Sequence, residues 1–534
     1  MYERIINERV IKNVNLSESQ AGGRKGTATV DHILLAKELI AAAKRQKKDA
    51  YIAFLDVTKA YDKAWLTQIM HVLYKQGLTD NHWTLVRKLN ENLTAKTQTK
   101  YGMTRTITIK DSIRQGGVLS TTMYGLLMDE ISKEIKKENI GIKTTEEAER
   151  KGSLLWVDDV LLITTEGEDL QKSLNITNET SDKYHVEYGE PKSNVLKVKH
   201  TRKKKEEHFY IGDQQLKEAD KYKYLGHLQN SKNNNNDHMQ MTKGKTEAAY
   251  QKMMALTGGS DFMQIEMETI WTVLEACIIP IIIYGGEAWE MTTQNFKTAN
   301  MLLDNILKRI LKTPKGTPRE ALYIETGILD PKTLIMKNRI TMESRIKKGD
   351  NETMKEILSI QNEGSWATQN NKIKEKLEIT EVDMNQSKNV LKRITKEKIS
   401  AYFKEELTAN AHDKSKMKYY FEGKQEWKIR NRANYMNKLT RNQASTIFKA
   451  RTRMLKVKAN YKNGNKDINC RACGKYEETQ NHILEECEII NKDESPIKKE
   501  IIFTECATEL KKVAISINKK MELLEKIGQK STSS

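Results

Sequence analysis

The sequence predicts an α+β fold over its first half, followed by a long helical region that ends in a small metal-binding element. Three observations predict it. Short apolar runs alternate with helical stretches over 51–228. From about residue 238 to 460 the apolar spacing is helical almost throughout, with Lys/Glu-rich exposed faces. Three of the five cysteines fall between 470 and 487, beside a histidine.

Residues 1–50 read as helix apart from a Gly-rich break at Ala21–Gly26. Tyr51–Leu55 is an apolar strand. Leu154–Val157 and Val160–Ile163 are two more, separated only by Asp158-Asp159, so they read as a tight hairpin with the acidic pair at its tip. Arg202–Lys205 is a basic run, and a second hairpin is expected around Gly212. Asn233–Asn236 marks a loop. Pro314, Pro318 and Pro331 punctuate the helical region. One more amphipathic helix follows the cysteines, and the Ser/Thr-rich tail from Lys530 reads as disordered.

With 534 residues, 38% of them apolar and 31% charged, the chain exceeds one compact core, and roughly two to four domains are expected. Five cysteines exclude a disulfide scaffold and point to a reducing compartment; Cys277 and Cys506 stand alone and read as buried or incidental. No apolar run approaches the ~18 residues of a membrane span. The longest, Cys277–Tyr284, reads as core, and charges interrupt the apolar residues of the first ten positions. A net charge of +19 suits a polyanionic partner. Lys-rich coding bias is the other source of that excess, since Lys far exceeds Arg and Asn is abundant.

Asp56 ends the first apolar strand, and Asp158 and Asp159 lie between two others. Acidic groups there are costly unless cations neutralise them. Two divalent ions about 3.5–4 Å apart on such carboxylates can clamp both oxygens of an in-line phosphoryl displacement. Mg²⁺ suits that task because it prefers carboxylates together with substrate phosphates. Near the C-terminus, Cys470, Cys473, His482 and Cys487 give C-x2-C-x8-H-x4-C, three thiolates and an imidazole that satisfy a closed zinc site.

The residues around these groups carry a resemblance. Tyr51–Trp65 (YIAFLDVTKAYDKAW), Ile113–Ser120 (IRQGGVLS) and Leu155–Leu162 (LWVDDVLL) resemble motifs A, B and C of reverse transcriptases, in the family's order. Gln20–Ile33 resembles the fingers segment, Lys192-Ser193 motif D, and Tyr222–Gly226 (YKYLG) motif E, the primer grip. Pro280–Trp289, Thr317–Tyr323 and the Cys/His element with Glu477–Cys487 resemble segments of non-LTR, LINE-type retrotransposon polymerases.

That resemblance implies a right-hand polymerase palm, an antiparallel sheet packed on helices. It places partial fingers at 1–50, the palm at 51–228 and a helical thumb at 229–345. A basic helical region at 346–465, a zinc knuckle at 466–490 and a terminal helix with tail at 491–534 follow. The implied function is an RNA-directed DNA polymerase that uses dNTPs, an RNA template and a DNA primer, with no membrane partner. Asp56, Asp158, Asp159 and the Val57 carbonyl would hold two Mg²⁺ ions. Tyr61 would act as the steric gate against a 2′-hydroxyl. Gln115, Gly116, Arg24, Lys25 and Lys192 would meet the nucleotide, and Leu225 with Gly226 the primer terminus. Nuclear and cytoplasmic residence as a ribonucleoprotein is implied as well.

Three departures stand out. The chain starts inside the fingers, so it reads as a truncated element copy or an incomplete gene model. Trp156-Val157 replaces the commoner Tyr-Ala before the acidic pair. Gly23 replaces an expected Phe, and Thr121 the Pro that usually follows the motif B Ser. A catalytically dead nucleic-acid-binding remnant is the alternative reading. A group II intron-type maturase fits less well, because the Cys/His element and the Tyr-Gly-Gly-Glu-Ala-Trp segment argue against it.

Overall fold

Ala50–Asp56 is apolar up to a terminal aspartate, and it forms β1, a central strand of a six-stranded sheet, in a computed structural model of the chain. The structure describes residues 2–109, 112–200, 207–256, 267–424, 426–460 and 467–530. The basic run at 202–205 and the tail beyond Lys530 lie outside them. Two compact units divide the chain. The first holds residues 1–238, 285–290 and 342–371, and the second holds 239–284, 291–341 and 372–534.

In the first unit, β2 (Thr94–Ala95) pairs with β5 (Ile107–Thr108), and β3 (Gln98–Thr99) with β4 (Gly102–Met103), in short exposed ribbons. The sheet itself is built from β1, β6 (Ser153–Trp156), β7 (Asp159–Thr164), β8 (Asn194–Val198), β9 (Phe209–Ile211) and β10 (Gln214–Glu218). Its order is β6-β7-β1-β8-β10-β9. Every pairing is antiparallel except β10 with β8. The expected hairpin at Gly212 is the β9–β10 turn. A separate hairpin joins β11 (Lys221–Tyr224) to β12 (His227–Asn230).

Strand alternation decides which helices cover the sheet. Tyr51, Ala53 and Leu55 face a core that includes Leu127 and Ile131 of α5 (Val118–Lys137) and Leu170 of α6 (Gly167–Lys183). Ile52 and Phe54 face the opposite core, with Leu35 and Leu39 of α2 (Thr29–Arg45). Burial on both faces explains why β1 reads as an unbroken apolar run.

The hairpin expected at Asp158-Asp159 turns one residue earlier. Val157 and Asp158 form the tip, with Val157 at φ 60°, and Asp159 is already inside β7, opposite Trp156. Placing a β-branched residue in the left-handed region is costly, and the surrounding contacts hold it there.

The second unit is helical, as the apolar spacing predicts. Pro318 precedes the helix Arg319–Thr326, and Pro331 opens the helix Pro331–Lys348, positions where a missing N–H costs nothing. Fully buried Arg451 pairs with fully buried Glu325 at 3.2 Å and also donates to the carbonyls of Ile502 and Thr504. Cys277 and Cys506, expected to be buried or incidental, are exposed. Met267–Ala288 is long and apolar enough to cross a membrane by length and composition, beyond what the shorter run at Cys277–Tyr284 suggests; 44% of its most apolar window is buried.

Candidate active site

Register brings the acidic residues together. Asp56 ends β1 directly opposite Asp159 at the start of β7, and Asp158 occupies the adjoining turn. All three are half-buried. Burial pushes the Asp159 carboxyl up to about 6, and the neighbouring Asp158 and Asp56 charges add to it. Burial is also the largest cause of the raised Asp158 carboxyl, with Asp56 contributing. Lys192 offsets part of this charge, with Nζ 3.2 Å from Asp56 Oδ2. Next to it, Ser193 Oγ accepts the Asp56 N–H at 3.2 Å. Val57 follows Asp56 as a buried bridge to Tyr188. Three carboxylates and one exposed lysine leave this corner short of positive charge, and the donor set suits divalent cations.

A side chain that sequence reasoning passed over holds the turn. Gln20 is fully buried. Its Oε1 accepts the N–H of Val157 at 2.9 Å and that of Gly22 at 3.0 Å. Its Nε2 donates to the carbonyls of Val157 at 3.3 Å and Gly125 at 3.4 Å. Alongside, Leu155 N–H donates to Ser19 O and Ala21 N–H to Leu155 O, so this segment docks on the edge of β6. A β-carbon on Gly22 would lie 2.5 Å from Val157 N, which is why glycine stands there. The only hint in the sequence is a Gln and a Gly pair ahead of a helix, too common a pattern to single out.

Tyr61 is half-buried and stacks on Tyr124, with centroids 5.5 Å apart. Burial raises its phenol, with the nearby Asp158 charge adding to the shift and Thr121 opposing it. Tyr61 O accepts the N–H of Ile113, which roots the motif B loop beside it. Within that loop Gln115 and Gly116 are exposed, Gly116 at φ 84°. Leu225 and Gly226 form the β11–β12 turn, both with positive φ. Tyr222 of that hairpin stacks on Phe54 at 4.2 Å, and the charges of Asp159 and Asp56 add to the burial that raises it. Trp156 meets the edge of buried His32 at 5.6 Å. Arg24 is engaged with the carbonyls of Ser17 and Gln20, whereas Lys25 is exposed.

In the second unit, Cys470, Cys473, His482 and Cys487 offer donor atoms that all lie within 4.8 Å of one another. Cys470 and Cys487 sulfurs are 3.9 Å apart, and Cys473 Sγ is 3.3 Å from His482 Nε2. A tetrahedral ion with Zn–S bonds of ~2.3 Å spaces its sulfurs by about 3.8 Å, so the set fits zinc. Buried Glu478 binds Arg471 and the Lys458 N–H, fixing the loop that carries Cys470 and Cys473.

Residues 1–228 match the family model described as Reverse transcriptase (RNA-dependent DNA polymerase). The Pol polyprotein of the type-1 retrotransposable element R2 from Nasonia vitripennis is 28% identical over 239 residues. These residues form a reverse transcriptase domain, and the relatives they match are polyproteins of a type-1 retrotransposable element. The Nasonia match covers 43% of this chain and 23% of that relative. An R2 polyprotein from Popillia japonica is 28% identical over 166 residues, 30% of this chain and 23% of the relative. The chain thus matches about a quarter of the length of these curated relatives. Among solved structures, apo telomerase from Candida tropicalis, truncated from its C-terminal domain, is similar over 43% of each chain at 16% identity, with a TM-score of 0.30. Within this domain, the segments that resemble motifs A, C, D and E converge on the acidic corner, and the one that resembles motif B is tethered beside it through Tyr61.

Proposed function

We propose that the chain is an RNA-directed DNA polymerase of a non-LTR retrotransposon, which copies an RNA template onto a DNA primer. The observation that carries this reading is the cross-strand pairing of Asp56 with Asp159, with Asp158 in the adjoining turn. When bound at Asp56, Asp158, Asp159 and the Val57 carbonyl, two Mg²⁺ ions would supply the charge that acidifies the primer 3′-hydroxyl and stabilises the leaving pyrophosphate. The 3′-oxygen forms a bond to the α-phosphorus of a dNTP while the bond to the β-phosphate's bridging oxygen breaks. Tyr61 presents its ring where a ribose 2′-hydroxyl would clash. Gln115 and Gly116 line the incoming nucleotide, and Gly116 admits the backbone closely because it carries no β-carbon. Lys192, with Arg24 and Lys25 from the fingers, balances triphosphate charge, and the Leu225-Gly226 turn steadies the primer end.

Zinc at the Cys/His element acts structurally, since four protein ligands leave no open position. Residence in nucleus and cytoplasm as a ribonucleoprotein belongs to the same proposal. One departure from the family pattern is accommodated by packing, since Trp156 meets the edge of buried His32. Primer extension on an RNA template with Mg²⁺ and dNTPs tests the polymerase. Extension that disappears in Asp158→Ala supports it. Equal background from both proteins overturns it in favour of a non-catalytic nucleic-acid-binding chain.

A further inference from the structure

The second unit contains a cleft of about 490 Å³, within the ~300–1,000 Å³ range of small-ligand sites. Its floor is apolar, formed by Ile279, Ile328, Leu329 and Leu334. Its rim carries two arginines with different circumstances. Arg432 is fully engaged. It pairs with Glu275, donates to the Thr326 carbonyl at 2.9 Å and to Asn437 Oδ1 at 3.2 Å, and lies over the Trp271 ring. Glu275, the acid on the cleft wall, is thereby neutralised.

Arg430 has no ion-pair partner among the described residues, and φ 63° holds it in a conformation that arginine adopts at a cost. A second cation stands near it. Lys337 lies one helical turn beyond Leu334, on the same side of its helix, and is half-buried without a carboxylate partner among the described residues. Burial lowers its amine, and the charges of Arg430 and Lys392 lower it further. Arg430 and Lys337, two like charges beside the apolar residues of the cleft, have an electrostatic deficit that an anion would relieve. Asn431 and Asn437 add side-chain amides at the rim.

We propose that this cleft binds a nucleotide, with its base on the apolar floor and its phosphate against Arg430 and Lys337. The ligand is either a free nucleotide or one residue of a single-stranded nucleic acid. Size, apolar floor, amides and unpaired cations match a base plus phosphate together, whereas a bare phosphate would leave the floor unused. The proposal concerns the second unit and does not rest on the polymerase reading.

Photocrosslinking the full chain to a short single-stranded RNA that carries 4-thiouridine, followed by peptide mass spectrometry, tests it. Adducts are expected within 328–334 or 430–437. They should fall about tenfold in Arg430→Ala combined with Lys337→Met, as loss of a charge-assisted contact implies. They should fall likewise in Leu334→Trp, which fills the floor. The paired surface variant guards against a folding defect in Leu334→Trp, and circular dichroism checks both. Excess AMP that erases the adducts assigns the cleft to a free nucleotide, and adducts that survive AMP assign it to the strand. Adducts absent from both segments, or undiminished in the variants, overturn the proposal. Crosslinking needs no catalysis, so its failure and a failure of primer extension are distinguishable.

Discussion

Gly23 and Thr121 are in contact: a β-carbon on Gly23 would lie 2.8 Å from Thr121 Cγ2, and Gly23 holds φ 76°. These are the two positions at which the chain leaves the family pattern around its fingers and motif B. Thr121 has little room to yield, because it is half-buried in the first turn of α5. Gly23→Ala therefore meets both left-handed strain and a clash, and should cost about 1–3 kcal/mol in urea unfolding. Adding Thr121→Ala removes the clash but leaves the strain, so the double variant should recover part of the loss. No recovery would show that the contact is not the cause.

Gln20 holds the acidic turn from a fully buried position. Gln20→Ala leaves the Val157 N–H and C=O without their side-chain partner and frees the turn that carries Asp158. Supporting residues of this kind typically cost 10–100-fold in metal affinity or activity, and about tenfold in kcat is expected here. Gln20→Glu keeps the acceptor for Val157 and Gly22 but loses the donor, so it should retain more activity than Gln20→Ala. A rise in the Mg²⁺ concentration needed for half-maximal rate would mark positioning of the acidic trio. An unchanged Mg²⁺ requirement in both variants would discard that role.

The contrast between Gln20 and Asp56 explains what was legible in the sequence. Asp56 ends an apolar run buried on both faces, and local pattern alone reveals such a run. The acidic pair stood between two such runs, so the hairpin was legible too. Its tip was misplaced by one residue because a valine at positive φ contradicts its local preference and is held by tertiary contacts. Gln20 makes its decisive contact 137 residues away, with backbone atoms that look alike at every position. The Tyr222 stack on Phe54 was hidden for the same reason, whereas the Cys/His ligands were visible because thiol spacing is itself a local signal.

His32 supplies a pH dependence whose sign can be worked out. It is 2% exposed, beside Trp156 and 3.4 Å from the Tyr224 hydroxyl, and burial pushes its imidazolium down to about 4. Between the unfolded value near 6.5 and that folded value, the unfolded chain binds the extra proton, so stability falls as pH falls through this window. The full shift corresponds to about 3 kcal/mol. His32→Phe removes the group and should flatten the profile between pH 7 and 4 relative to the parent chain. Parallel stability profiles for the two proteins would contradict a neutral buried histidine.

Zinc removal should be felt well beyond its ligands. Cys470 and Cys487 belong to a small core that also contains Ile483, Ile490 and Leu524, the last from the helix Ala507–Lys530. The candidate ligands and this apolar packing therefore share residues, so an ion bound there would contribute to folding this region. The purified chain should carry one equivalent of zinc, and Cys487→Ser should lose it. Hydrogen exchange should then accelerate in Ala507–Lys530 and the ligand loops, while β1 keeps its protection. Because the ligands are thiolates and a neutral imidazole, zinc retention should weaken as pH drops. A metal-free chain with the same protected terminal helix would mean that apolar packing alone holds this region and that the cysteines serve no ion.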